Sequence, residues 1–247
     1  MANLKEIRGR ITSISSTMQI TSAMKMVSAA KLKKAQDAIV MLRPYSEKLQ
    51  EIIENLNVNP DQEIASPYSV QRDTKKILFI TITSNRGLAG AFNSSVIKEL
   101  NQKIAENPNA EIEILTVGKK AFDAVRKSRT VFENQSAIYD FLTFEAVSKF
   151  VSNVMRNFRE GNFDKVYLVY NKFVNAATQE VQTEQLLPIA MPEQSNDPVV
   201  TEYVFEPNAE EILNVLIPKS IKTQVYKAIL DAIASEHGAR VTAMRKA

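Results

Sequence analysis

The sequence predicts an α/β fold: a mostly parallel sheet domain inserted between two long terminal helices that pair as an antiparallel coiled coil. Three observations carry this expectation. Near each end, apolar or small residues recur three and four positions apart with few Gly or Pro, the period of a helix seam. Between Lys75 and Pro188, strand-like and helix-like segments alternate, which implies parallel strands covered by helices. Polar, proline-bearing stretches separate these blocks.

The first helix is predicted over residues 1–57. Leu4, Ile7, Ile11, Ile14 and Met18 form its first seam, and Ala35, Ile39, Leu42, Leu49, Ile53 and Leu56 its second, with Ser46 interrupting. Such a helix extends roughly 85 Å, far beyond the needs of a compact domain, and Pro44 removes a backbone hydrogen bond and bends it. Residues 57–73, "NVNPDQEIASPYSVQRD", read as a linker.

The α/β domain is predicted over residues 74–190. Ile77–Thr83 reads as a strand buried on both faces, Asn93–Asn107 as a helix, Glu111–Val117 as a strand and Lys119–Lys127 as a short helix. Thr130–Phe132 forms a third strand. Phe144–Glu160 is an amphipathic helix with Val147, Phe150, Val151, Val154, Met155 and Phe158 inward. Lys165–Phe173 and Gln179–Leu187 flank "VNAAT" as a hairpin, which gives the sheet an antiparallel edge.

A second linker, "MPEQSNDP", precedes the last helix, predicted over residues 207–247. Pro207 opens it, Glu210 and Glu211 suit its first turn, and Pro218 bends it. Its seam, Ile221, Val225, Ala228, Ala232, Ser235, Ala239 and Thr242, is built of small residues. Small residues let backbones approach closely, and Ala23, Ala29, Ala30, Ala35 and Ala38 of the first helix suit that contact.

Composition narrows the chemistry. The chain of 247 residues has 31 Lys and Arg against 28 Asp and Glu, so bulk charge does not announce nucleic acid. With no Cys and a single His, His237, thiolate chemistry is excluded, as is a histidine-rich metal site. No apolar run approaches the ~20 residues of a membrane span, and the start "MANLKEIRGR" lacks the apolar region of a signal peptide.

The stretch "KKILFITITSNRGLAGAFNSSVIKELNQK" has the outline of a nucleotide site: an apolar strand, a glycine turn, then a helix. A P-loop needs G-x-x-x-x-G-K-[ST], but Gly87 and Gly90 are three apart and followed by Ala91-Phe92-Asn93. A dinucleotide fingerprint needs a third glycine and an acid after the next strand, where Gly118-Lys119-Lys120 stand instead. Gly87 and Gly90 are therefore expected to serve the turn's backbone geometry, with no cofactor and no metal bound. No paired carboxylates, metal-ligand spacing or activated nucleophile stands out elsewhere.

"LKEIRGRITSISSTMQITSAMKMVSAAKLKKAQ", "SNRGLAGAFNSSV" and "ASEHGARVTAM" together resemble the gamma subunits of F-type ATP synthases, over nearly the whole chain and in order. The resemblance implies that the terminal helices form the axle inside a ring of three alpha and three beta subunits. It implies that the middle domain is a Rossmann-like fold without nucleotide, a foot meeting the epsilon subunit and the membrane c-ring. Function would be rotation without catalysis: proton-driven turning of the c-ring coupled to ATP synthesis or hydrolysis at the alpha/beta sites. Met24, Lys25, Met26, Lys31, Lys33 and Lys34 would then contact the ring. Read from the residues alone, the lysines are a solvated face, the methionines coil packing and Arg43 an extension of the basic run. Glu236, His237 and Arg240 mark the last-helix motif, with His237 in a structural or interface role.

The resemblance also implies a peripheral protein on the cytoplasmic side of a bacterial inner membrane. The family's last helix runs on past the stretch matching "ASEHGARVTAM", so a shortened C-terminus is expected, with Leu4 to Ile14 lacking a partner in the chain. Two other readings stay open: an α/β nucleotide- or small-molecule-binding enzyme dimerised by its terminal helices, and a free-standing coiled-coil adaptor.

Overall fold

The computed structural model describes residues 4–56, 66–189 and 209–247. The elements run α1 (Leu4–Leu56), β1 (Lys76–Ile82), α2 (Phe92–Ala105), β2 (Glu111–Val117), α3 (Lys119–Val125) and β3 (Thr130–Asn134). After a 3₁₀ turn at Ser136–Tyr139 come α4 (Phe144–Arg159), β4 (Lys165–Phe173), β5 (Gln179–Leu187) and α5 (Ala209–Lys246). Most of the expected 57–73 linker, all of the second linker, and Pro207 lie outside the described residues.

The five strands order as β3-β2-β1-β4-β5. β1 pairs parallel with β2 and with β4, β2 parallel with β3, and β4 antiparallel with β5. The central position of β1 explains its composition. Six of its seven residues are buried, and a strand covered on both faces reads as a continuous apolar run. On one face Ile77, Phe79 and Ile114 pack with Val96 and Leu100 of α2 and Val125 of α3. On the other, Leu78, Ile80 and Leu168 pack with Val151 and Val154 of α4 and with Ile221, Val225 and Ala228 of α5.

Local chemistry sets the helix ends. The Thr143 hydroxyl caps α4, accepting from Ala146 N at 3.2 Å, with Glu145 in the first turn and Arg156 and Arg159 in the last. Arg72 closes the other end, donating to the Phe158 carbonyl at 2.7 Å with its guanidinium over the Phe158 ring. The Asp164 carboxylate accepts from Lys75 N and Lys76 N at 2.9 and 2.8 Å, fixing the start of β1.

Both long helices form, each continuous through its proline. Their contact differs from the expected one. Ala23, Ala29 and Ala30 are exposed. The face of α1 turned inward is Ser28, Leu32, Ala35, Ile39, Leu42, Ser46, Leu49 and Ile53, all buried or half-buried. These positions hold the 4-3-4-3 phase without a break, so Ser46 belongs to the seam instead of interrupting it. The α5 row also differs. Ile221, Val225, Ala228, Ala232 and Ala239 enter the apolar core that includes the sheet and α4, joined by Leu49 and Ile53 of α1. Ala234, off that row, packs with Leu32 and Ala35 of α1. The small residues of α5 thus serve two partners. Between Ala228 and Arg240 every residue of α5 except Ile233 is buried, Asp231, Glu236, His237 and Arg240 among them.

Cover on α1 begins at Thr21 and Met24, which are half-buried. Leu4, Ile7, Ile11, Ile14 and Met18 are 44–69% exposed, in line with the register expected from the helix lengths. Among the described residues no helix is long and apolar enough to cross a membrane.

Candidate functional site: the crevice above β1 and β4

In this strand order the chain crosses over between β1 and β4. α/β folds of this kind bind ligands in the crevice at such a point, beyond the strand C-termini. The turn after β1 lines that crevice. Its polar groups are spent internally: Ser84 N donates to Asn93 Oδ1 at 3.0 Å, and Ser84 Oγ donates to the Arg86 carbonyl at 2.5 Å. Asn85 Nδ2 donates to the Ser136 carbonyl and Asn85 Oδ1 accepts from Lys119 N, both at 2.9 Å. Thr83 Oγ1 accepts from Ala121 N at 2.8 Å, and the Tyr139 hydroxyl donates to the Thr83 carbonyl at 2.7 Å. These bonds stitch the end of β1 to α2, α3 and the 3₁₀ turn.

The two glycines divide. Gly90 has φ +55°, a conformation that disfavours side chains. Gly87 does not: its φ lies outside the left-handed range, and an added Cβ would meet only Lys120 Cε at 4.0 Å. The expectation that both glycines serve backbone geometry is corrected at Gly87. The other left-handed residue of the turn is Leu88, at φ 60° and exposed. The glycine with the strictest requirement is Gly118, at φ +110°, where a Cβ would fall 2.0 Å from the Thr83 carbonyl oxygen. Its place between an apolar strand and a helix was the available signal.

The crevice is filled from within the chain by α5. Ser235 Oγ donates to the Asn171 carbonyl on β4 at 3.1 Å, and Asn171 Nδ2 donates to the Phe92 carbonyl at 2.8 Å. Arg240 Nη2 donates to the Gly87 carbonyl at 3.2 Å. On the hairpin after β4, the Ala176 carbonyl accepts from Thr242 Oγ1 at 3.1 Å and lies 3.1 Å from where a Gly238 Cβ would stand. Clefts of about 420 and 790 Å³ lie elsewhere, one beside Pro108 and Arg129, the other between β3 and α4.

Glu236, His237 and Arg240 come together here. Arg240 pairs with Glu236 at 2.7 Å, both side chains about nine-tenths buried, and its Nη1 is 3.3 Å from His237 Nδ1. Burial raises the Glu236 pKa, opposed by Arg240. Burial, then Arg240 and Lys31, push His237 down to about 4, so the ring is neutral near pH 7 and suits packing better than proton transfer. One turn earlier, burial pushes Asp231 up to about 6 against the pull of Lys227, Lys172 and Arg43.

The other candidate residues lie on α1. Lys25, Met26, Lys31, Lys33 and Lys34 are exposed and Met24 is half-buried. Lys33 pairs with Asp37 at 2.7 Å on an exposed face. Lys31 bears electrostatically on Glu236 and His237, so the basic run and the last-helix motif meet across the coil. Sequence reasoning missed Asn171, and it placed Ser235 and Thr242 in the seam toward the first helix, whereas their hydroxyls donate to the α/β domain.

Fold and site together define a two-part chain, a doubly wound α/β domain gripping one helix of a two-helix shaft. A family model described as ATP synthase matches residues 3–247. The ATP synthase gamma chain of Flavobacterium johnsoniae is 55% identical over 247 residues, all of this chain and 86% of the relative. That of a Geobacter species, strain M21, is 41% identical over 249 residues with the same coverage. Among solved structures, the central stalk and c-ring of Tetrahymena thermophila mitochondrial ATP synthase matches with TM-score 0.68 and 24% identity, over 92% of this chain and 98% of that one. The rotor of the Euglena gracilis mitochondrial enzyme matches with TM-score 0.66 and 22% identity, over 97% and 88%. The chain belongs to the ATP synthase gamma-chain family.

Proposed function

We propose that this chain is the central-stalk rotor of a proton-translocating ATP synthase and performs no catalysis itself. In this reading α1 and α5 form the axle within a ring of three alpha and three beta subunits. The α/β domain is the foot that meets the epsilon subunit and the membrane c-ring on the cytoplasmic side of a bacterial inner membrane. Turning of the c-ring turns the foot, and the axle carries that rotation to the nucleotide sites of the ring. Met24, Lys25, Met26, Lys31, Lys33 and Lys34 supply the ring contact, their exposed charges acting over a Debye length of about 8–10 Å.

The observation that best supports this reading is the double membership of α5. One helix is at once a core element of the α/β domain and half of the shaft, so the two parts are built to move as one. The crevice that an α/β enzyme would use for its ligand is taken by that helix.

The test is co-expression with alpha and beta subunits. A complex holding one copy of this chain per ring, with ATP hydrolysis dependent on it, is the expected result. Saturable micromolar ATP or NAD binding by the isolated chain, with no assembly, would instead favour an α/β enzyme dimerised by its end helices.

A further inference from the structure

Ser235, Gly238 and Thr242 lie three and four residues apart on α5. At about 100° per residue they share one ~60° arc of the helix. All three meet the β4–β5 side of the domain: Ser235 the Asn171 carbonyl, Gly238 the backbone of Ala176, Thr242 the Ala176 carbonyl. Arg240 leaves the helix about 140° around from Ser235 and holds the Gly87 carbonyl at the opposite lip of the crevice. The helix is therefore gripped from two sides, by the hairpin after β4 and by the turn after β1.

Apolar packing of Ile221, Val225, Ala228 and Ala232 holds the helix in the core. Directional bonds on two sides add a second constraint on its angle. A rotation of α5 by a single residue position carries all three donors away from their acceptors. It also brings a side chain to the Ala176 backbone, where only Gly238 fits without a shift.

Building on the rotor reading, we infer that the switch-point crevice of this α/β domain is a torsion-bearing socket whose occupant is the chain's own α5. Ser235, Gly238, Arg240 and Thr242 are its positioning residues, holding the shaft in fixed angular phase with the foot. Asn171 backs the socket wall, its carbonyl accepting from Ser235 while its amide is tied to Phe92 O and its Oδ1 to Ser95. Rotation of the foot thus passes to the shaft without slip.

The test uses the assembled complex in sealed vesicles, reading ATP hydrolysis and ATP-driven proton uptake together. A Ser235→Ala, Thr242→Val chain removes two anchors. Pumping per ATP hydrolysed should then fall at least about twofold while hydrolysis persists, and an unchanged ratio would overturn the inference. If the unmodified chain supports no pumping, the rotor reading itself fails. Pumping by the unmodified chain with an unchanged ratio in the double variant removes only the socket.

Discussion

Arg240 on the last helix donates to the Gly87 carbonyl 3.2 Å away, across 153 residues of sequence. The same guanidinium pairs with Glu236 at 2.7 Å. Two sequence motifs, "SNRGLAG" and "SEHGAR", therefore meet through one side chain. Replacing Arg240 by Met strands a buried carboxylate, and losing one partner of a buried pair costs about 3–5 kcal/mol. Replacing Glu236 by Gln as well removes that stranded charge. We expect R240M to lower the urea midpoint strongly and E236Q/R240M to recover much of the loss. Equal losses in the single and double variants would mean that the Gly87 contact, not the ion pair, matters.

Asp231 and His237 make opposite contributions to acid stability. His237 is held near 4 in the folded chain against 6.5 unfolded. Its contribution is present above pH 6.5 and is lost as pH falls toward 4. Asp231 is held near 6 against 3.8, so the fold favours its protonated form, and stability is lost as pH rises from 3.8 through 6. Each swing is on the order of a few kcal/mol, and over pH 4–6 they oppose. The pair should leave stability nearly flat there. His237→Gln should then make the chain gain stability as pH falls from 6.5 to 4, and Asp231→Asn should make it lose stability over the same range. Urea titrations at several pH values read both slopes; two variants with the same sign would exclude the balance.

The glycines should rank by geometry. Gly118→Ala places a methyl carbon against the Thr83 carbonyl at 2.0 Å and should prevent a stable fold. Gly90→Ala meets open space but keeps φ +55°, a strain of about 1–2 kcal/mol. Gly87→Ala should be within about 0.5 kcal/mol of the parent. Urea unfolding gives the order, and a costly Gly87→Ala would reveal a demand on that residue beyond its backbone.

Much of this fold was legible because its signals are local. β2, β4 and β5 follow runs whose ends are marked by Gly, Asn and Pro, and α4 shows its inward face as six apolar residues at helical spacing. The 3₁₀ turn at Ser136–Tyr139 carries no such mark and was not foreseen. The pairing of the long helices was half legible: periodicity shows that α1 has a seam, but several alanine phases compete near Ser28, and only the three-dimensional contact selects among them. The socket was not legible at all. Carbonyls of Asn171, Ala176 and Gly87 do the accepting, and a backbone acceptor leaves no trace in side-chain identity.

The exposed start of α1 provides the last prediction. Leu4, Ile7, Ile11 and Ile14 continue the three-and-four spacing of the covered seam yet are 44–69% exposed. Side chains already in water contribute little to the chain's own stability, so Ile7→Gln with Ile11→Gln should shift its urea midpoint by no more than surface substitutions do, about 0.5 kcal/mol each. Leu49→Ala, at 5% exposure in the covered seam, should cost about 2–5 kcal/mol. Assembly is expected to reverse that order. Burying an exposed Ile or Leu against a partner gains roughly 1.5–3 kcal/mol, so the double glutamine chain forgoes several kcal/mol of any contact the ring makes with this end. In competition for a limited supply of alpha and beta subunits, it should be displaced by the parent chain. Equal incorporation of the two would place the ring's hold on the shaft elsewhere, with the basic face of Lys25, Lys31, Lys33 and Lys34 the next surface to alter.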